Sequence, residues 1–252
     1  MKVLIYTAIF GDKDEAPLLS GEFDSIDYEL DFLCITDNDK LTSPDYKIEC
    51  VKPLFSDITK NARYFKVRGP KNILNYDIAV WHDSSTRIDC SNLDKLIEYG
   101  LSKQFSTFHH ARNCAYLEAI ACIDLHKDHA IRIAIQMFRY FLKGLPTNSA
   151  LNETTVLVTR CKDYMDSELQ TIWWNEILNW SRRDQLSLSY ARWMTDSKEI
   201  GILEGSRIEN PYTVWKGHKH ETYTDKNPLG ILNSRLVRGL CKKSIYEMRR
   251  RR

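Results

Sequence analysis

Residues 76–89 read YDIAVWHDSSTRID, and this stretch decides the fold. Tyr76 to His82 is a short apolar run rich in Ile, Val and Trp, the pattern of a central strand, and it runs straight into Asp83-Ser84-Ser85. Runs of the same kind lie on either side. Lys2 to Phe10 ends at Gly11-Asp12, Leu30 to Thr36 ends at Asp37-Asn38-Asp39, and Tyr46 to Val51, Ser106 to His109, Thr154 to Thr159 and Ile200 to Leu203 are further strands. Between them the period lengthens. Asp57 to Val67 has helical spacing with Ile58, Ala62 and Phe65 as its apolar stripe. Asn113 to Leu142 predicts a helix pair broken near Lys127-Asp128, with Leu117, Ile120, Ala121 and then Ile131, Ala134, Ile135, Phe138 facing the core. Tyr164 to Trp180 is a Trp-rich helix, and Ser181 is placed to cap another that carries Leu186, Tyr190 and Trp193. Strands alternating with helices predict one α/β domain: a mixed, mostly parallel central sheet flanked by helices.

Composition narrows the class. Of 252 residues 43% are hydrophobic and 28% charged, with ten Gly and seven Pro, which excludes disordered and collagen-like chains. No stretch approaches eighteen uncharged apolar residues. The opening MKVLIYTAIFGDKDE reads as a first strand and not as a secretory signal. Seven irregularly spaced cysteines, Cys34, Cys50, Cys90, Cys114, Cys122, Cys161 and Cys241, contain no C-x-x-C pair. They predict buried free thiols and a cytoplasmic location. The net charge of +2 conceals an asymmetry: residues 235–252 hold eight Lys/Arg against one Glu, which leaves residues 1–234 with −5. An acidic body lacks the field of a nucleic-acid binder, and no nucleic-acid partner is expected.

In open α/β sheets ligands collect at the carboxyl ends of the strands. Asp12, Asp37 and Asp83 fall at such ends. If residues 83–85 are extended, Asp83 and Ser85 share a face and together can hold a divalent metal that bridges phosphates. The alternative is that Asp83 opens a turn helped by Ser84 and Ser85.

The ordered segments IYTAIFGDKD (5–14), FLCITDN (32–38), ARYFK (62–66), YDIAVWHDSSTRI (76–88), HHARNCAYLEA (109–119), QMFRYFLKGLP (136–146), NETTVLVTR (152–160), WWNEI (173–177) and SRRDQLSLSYA (181–191) resemble the glycosyltransferase-like family once catalogued as domain of unknown function 616. The resemblance implies a GT-A-like domain over residues 1–234. About 1–90 would form a nucleotide-sugar-binding half and about 91–234 a helical, acceptor-binding half. It implies transfer of a sugar from a nucleotide-diphosphate sugar to a hydroxyl of a polysaccharide or glycolipid. The alternative is a catalytically silent glycan- or nucleotide-binding relative, suggested by Ser85 standing where GT-A enzymes carry a second carboxylate.

On that reading the donor site comprises Thr7, Ala8, Asp37, Arg63, Lys66, Asp83 and Ser85, with Arg63 and Lys66 three apart on one helix face to neutralise the diphosphate. Asp83, Ser85 and a late histidine, His218 or His220, would hold a divalent metal. Imidazole favours Mn²⁺ over Mg²⁺. Asp184, or else Glu118 or His109, would handle the acceptor proton. His110, Arg112, Arg183, Gln185 and Trp174 would bind the acceptor. For each, a structural role is the competing reading: a helix-terminal carboxylate, a buried histidine, a solvated basic face, a core aromatic.

The end of the chain, LVRGLCKKSIYEMRRRR, sets Leu236, Leu240, Ile245 and Met248 near one helical face among basic residues. It suits an interfacial helix on an anionic membrane, giving a peripheral location, or a basic end without a specific partner.

Overall fold

Strand β1 (Lys2–Ile9) is buried at every position after Lys2, and β4 (Ile78–His82) is buried throughout. Both are therefore covered on two faces, and they pair side by side in parallel. The computed structural model describes residues 1–23, 27–196 and 200–217, with Gly239 beyond them. Parallel to β1 on its other side runs β2 (Glu29–Thr36), followed by β3 (Lys47–Cys50). Beyond β4 lie β7 (Asn152–Arg160), β6 (Phe105–His109) and β8 (Gly201–Leu203), so the order is β3-β2-β1-β4-β7-β6-β8. Only β7 runs against its neighbours. The expected mixed, mostly parallel sheet is present. A separate ribbon pairs β5 (Thr86–Ile88) with β9 (Thr213–Trp215).

The period of two along β1 sorts its side chains into two cores. Leu4, Tyr6, Ala8 and Phe10 face one way, toward helices α1 (Ile58–Arg68) and α6 (Glu168–Asn179). Val3, Ile5 and Ile9 face the other way, toward α2 (Leu93–Ser102). A third core joins α3 (Ala115–Asp124), α4 (Ala130–Lys143) and α7 (Asp184–Met194), and α7 also sends Leu188 and Ala191 to the first core. The sheet thus separates two helical layers, with a helical half at one side.

Several local expectations are revised. Residues 164–180 do not form one helix. A short turn of helix, α5 (Cys161–Tyr164), ends at Met165, Asp166 adopts φ 62°, and Ser167 caps α6 by accepting from the Gln170 N–H. Ser181 does not cap α7, because its hydroxyl donates to Asp128 and Arg183 takes the cap position. In α1 the fully buried residues are Asn61, Lys66 and Val67, while Ile58 is exposed. In α4 the buried residues are Ile133, Gln136, Met137 and Tyr140, so the expected core stripe of Ile131, Ile135 and Phe138 faces solvent. The α3 stripe shifts likewise: Ile120 is buried and Leu117 and Ala121 only partly. Neither α2 nor the β5–β9 ribbon was anticipated. Of the cysteines, Cys34, Cys90, Cys114, Cys122 and Cys161 are buried and free, Cys50 is exposed, and Cys241 lies outside the described residues.

Candidate active site

Because β7 is reversed, its polar beginning meets the carboxyl end of β4. The Asp83 N–H donates to the Thr155 carbonyl at 2.8 Å, and Glu153, Thr154 and Thr155 reach the same opening as Ala8 to Phe10 after β1. The starts of α1 and α7 and the outer face of α3 close the sides. The result is a cleft of about 420 Å³ at the strand ends, within the usual size range for small-molecule sites.

Its floor is a cluster of four charges. Lys66 projects inward from α1 with its side chain wholly buried, and Nζ lies 2.7 Å from Asp184 Oδ2 and 3.1 Å from Asp83 Oδ1. Arg63, one helical turn earlier, places Nη1 at 3.3 Å from Asp83 Oδ1 and Nε at 3.3 Å from Asp184 Oδ1. Trp81 Nε1 donates to Asp83 Oδ1 at 3.0 Å, and Thr154 Oγ1 donates to Asp184 Oδ2 at 2.8 Å. Trp173 Nε1 fixes the α7 start through the Asp184 carbonyl at 2.9 Å. Burial alone would raise both carboxyls. Lys66 and Arg63 outweigh it and hold Asp83 below its ordinary value, and Arg63, Lys66 and Arg183 hold Asp184 well below the carboxylate range. Two cations on two carboxylates leave this floor electrically neutral.

The walls carry the surplus. Six basic side chains, Lys13, Arg63, Arg112, Lys127, Arg183 and Arg207, line the cleft beside five acidic ones, Asp14, Asp83, Glu118, Glu153 and Asp184. With Lys66 beneath, the described site is +2. Burial, and then the neighbouring Arg63, push Lys13 below its ordinary value, with Arg183 adding to the repulsion and Asp14 and Asp83 opposing it. Crowded like charges of this kind are relieved by an anion. Arg183 also keeps a buried Nε without a hydrogen-bond partner. Farther along, Arg112 Nη1 and His110 both approach Glu118 Oε2, the latter at 3.5 Å, and His110 Nδ1 accepts from the Arg112 N–H at 3.0 Å. Burial lowers His110 despite Glu118 and Glu153, so it is a neutral imidazole at neutral pH.

The structure brings together Ala8, Arg63, Asp83, Ser85, His110, Arg112, Glu118, Arg183, Asp184 and Gln185 around the cleft, with Lys66 just below it. Four expected residues stand elsewhere. Thr7 is fully buried inside β1. Asp37 accepts from the Gly11 N–H at 3.0 Å and so anchors the turn after β1. His109 is exposed at the end of β6. Trp174 packs against Phe55 and Tyr64 on the far side of α1. Asp12, in a left-handed turn at φ 51°, does not reach the cleft, whereas Asp14, two residues on, does. His218 and His220 lie outside the described residues.

Asp83-Ser84-Ser85 is a turn closed by the Thr86 N–H on the Asp83 carbonyl at 3.0 Å, so the alternation that would set Asp83 and Ser85 on one face does not apply. Ser84, not Ser85, donates to a carboxylate, that of Asp14. The described residues contain no group of three or more His, Cys, Asp and Glu able to hold a metal ion. Lys66 and Arg63 already sit on the Asp83 oxygen that would be its first ligand. With His218 and His220 outside the described residues, the expected metal set is represented here by Asp83 and Ser85 alone, both at the cleft. Lys13, Asp14, Lys127, Glu153 and Arg207 were not anticipated. A sequence signal existed for Glu153, in the polar opening of a strand whose centre is apolar, and for Lys13 and Asp14, which follow the first strand.

A strand-end cleft in a mixed α/β sheet, positively charged and lined by paired carboxylates, defines a class of small-molecule site suited to anionic ligands. The family is specific: the model of the TOD1/MUCI70, glycosyltransferase-like domain matches residues 46–204, more than half of the chain, and the chain belongs to that family. The match includes Arg63, Lys66, Asp83, Glu118 and Asp184, and it begins after the first two of the nine ordered segments. Membership supports a glycosyltransferase-type function. Among solved structures, mouse xyloside xylosyltransferase 1 in its apo form is similar at 9% identity over 81% of this chain and 85% of that one, with a TM-score of 0.46. The apo structure of the bifunctional glycosyltransferase WbbM is similar at 12% identity over 80% and 38%, with a TM-score of 0.42. No curated protein sequence matches.

Proposed function

We propose that the cleft transfers a sugar from a nucleoside-diphosphate sugar to a hydroxyl of a glycan acceptor. The observation that carries this is the surplus of +2 along the walls, set above Asp83 where β1 and β4 end. The pyrophosphate of a nucleoside-diphosphate sugar bears two negative charges, and it gains another as the bond to the anomeric carbon breaks. Lys13, Arg63 and Arg183 are the cations that stabilise this developing charge, and the neutral floor of Asp83, Asp184, Lys66 and Arg63 keeps Arg63 aimed without a further ligand.

The acceptor proton needs a carboxylate that faces the cleft. Both oxygens of Asp184 are engaged by Lys66, Arg63 and Thr154, and its carboxyl is strongly depressed, which suits a positioning group. Glu118 faces the cleft from α3, held by Arg112 and neutral His110, and we assign it the proton-accepting role.

The test is a thermal-shift series with nucleoside diphosphates and their sugars, followed by donor hydrolysis. One nucleoside diphosphate should raise the melting temperature, by linkage about 2.7 kcal/mol at a hundredfold excess over its Kd. Glu118→Gln should keep that shift and lose turnover. Absence of stabilisation by any nucleoside diphosphate overturns the donor assignment. Stabilisation without hydrolysis or transfer supports the second reading, a silent nucleotide-binding relative, for which Ser85 in place of a second carboxylate speaks.

A further inference from the structure

Helix α4 turns an apolar ridge outward. Ile131, Ile135, Phe138 and Leu142 recur at four-, three- and four-residue spacing, and their exposures are 51%, 50%, 61% and 68%. The opposite face, with Ile133, Met137 and Tyr140, already fills the third core, so this ridge is not a core stripe turned the wrong way. A surface ridge of this length and regularity marks an interaction site.

What it fits is read from charge. The fourteen residues of α4 contain Arg132, Arg139 and Lys143 and no acidic residue. On a helical wheel these three fall together along one edge of the apolar ridge, a third to a fifth of a turn away. Arg139 is tied inward to Glu176 and Arg132 lies 3.9 Å from buried Asp128, while Arg132 and Lys143 both keep exposed side chains. Two copies of such a helix packed face to face and antiparallel would set the basic edges side by side. An anionic bilayer surface complements both ridges at once, the apolar one entering the acyl boundary and the basic one meeting headgroups. Among the described residues no helix is long and apolar enough to cross a membrane. Leu125, exposed at 57% at the end of α3, lines the cleft five residues before α4 begins.

We propose that the outer face of α4 seats the protein on an anionic lipid surface, with the cleft mouth at its edge. This surface is distinct from the basic residues 235–252 and does not depend on the chemistry of the cleft.

The test is co-sedimentation of the full chain with vesicles of phosphatidylcholine alone and of phosphatidylcholine with phosphatidylserine. The chain should bind the mixed vesicles and bind the neutral ones much less. Ile135→Asp with Phe138→Asp, both at exposed positions, should weaken binding by about tenfold or more while leaving the melting temperature unchanged. Arg132→Glu with Lys143→Glu should remove the preference for the anionic lipid. Failure of the full chain to bind mixed vesicles overturns the proposal. So does undiminished binding by the Asp variant, which would place the anchor elsewhere, residues 235–252 included. A dimer in gel filtration that the Asp variant dissociates, with vesicle binding unchanged, would identify the ridge as a self-association surface instead.

Discussion

The ammonium of Lys66 lies 2.7 Å from Asp184 Oδ2, and neither side chain reaches solvent. This contact joins a helix that follows the third strand to one that begins more than a hundred residues later, and Asp83 closes the triangle at the end of the central strand. A buried ion pair adds little over an apolar pair of the same volume, but breaking one is costly because it strands the partner.

Lys66→Met removes one of the two cations held between Asp83 and the wholly buried Asp184. The expected loss is about 3–5 kcal/mol of unfolding free energy, read from urea midpoints. Lys66→Met with Asp184→Asn should lose less than the sum of the single changes, because the stranded charge goes with its partner. A loss below about 1 kcal/mol for Lys66→Met would show that the cluster behaves as a surface pair.

Acid should destabilise the protein in two stages. His82 is buried, with Nε2 at 2.9 Å from Tyr46 Oη, and burial pushes its pKa down to about 4. The unfolded chain therefore binds a proton that the fold refuses between about pH 6.5 and 4, and stability falls with pH across that window. Asp83 and Asp184 are depressed, so their contribution is present above the ordinary carboxylate pKa and is lost as pH falls below it. Urea titrations from pH 8 to 3 should show the first decline setting in near pH 6.5, the ordinary histidine value. Nuclear magnetic resonance of the His82 ring supplies the check: titration at the ordinary histidine value would remove the first stage.

Arg183 lines the cleft with a buried, unpartnered Nε, and it sits beside Lys13 and Arg63. Arg183→Gln should weaken nucleoside-diphosphate binding by about tenfold or more, since charge-assisted contacts to phosphate are among the strong ones. Calorimetry makes the comparison directly. Equal affinity in the variant would move the phosphate subsite away from this wall.

Gly100 in α2 faces the sheet. A Cβ there would stand 2.8 Å from Ile78 Cδ1, 2.9 Å from Ile78 Cγ2 and 3.0 Å from Val158 Cγ1. Alanine gains up to about 1 kcal/mol in helix propensity, but overpacking against two central strands costs about 1–3 kcal/mol. Gly100→Ala should therefore lower the urea midpoint. A rise would mean that α2 can lift from the sheet at no cost.

Reading helices by period located α1, α3, α4 and α7, missed α2 and overran α6, and it set the wrong face of α4 toward the core. In α4 the sequence offers two apolar ridges. The eye takes Ile131, Ile135 and Phe138, while the fold buries Ile133, Gln136, Met137 and Tyr140. Gln136 is admitted because its amide donates to Tyr140 Oη at 2.7 Å and to Ser187 Oγ at 3.3 Å. Polar satisfaction of that kind depends on α7 and cannot be seen in α4 alone. The same limit applies to Lys66, which looks like half of a solvated basic pair and is one of the largest fully buried side chains.

What the sequence determines by itself is local: the strands of the central sheet, whose short β-branched apolar runs end at turn residues, and the positions of Asp83 and Asp184 at the ends of elements. The partnerships are decided only in three dimensions. The reversal of β7 brings Glu153 and Thr154 to the opening, and Lys66 and Arg63 are drawn between two carboxylates. Each depends on contacts between residues tens to more than a hundred positions apart. Charges so separated are neutralised or left free only according to which side chains the packed core forces into the same dry space.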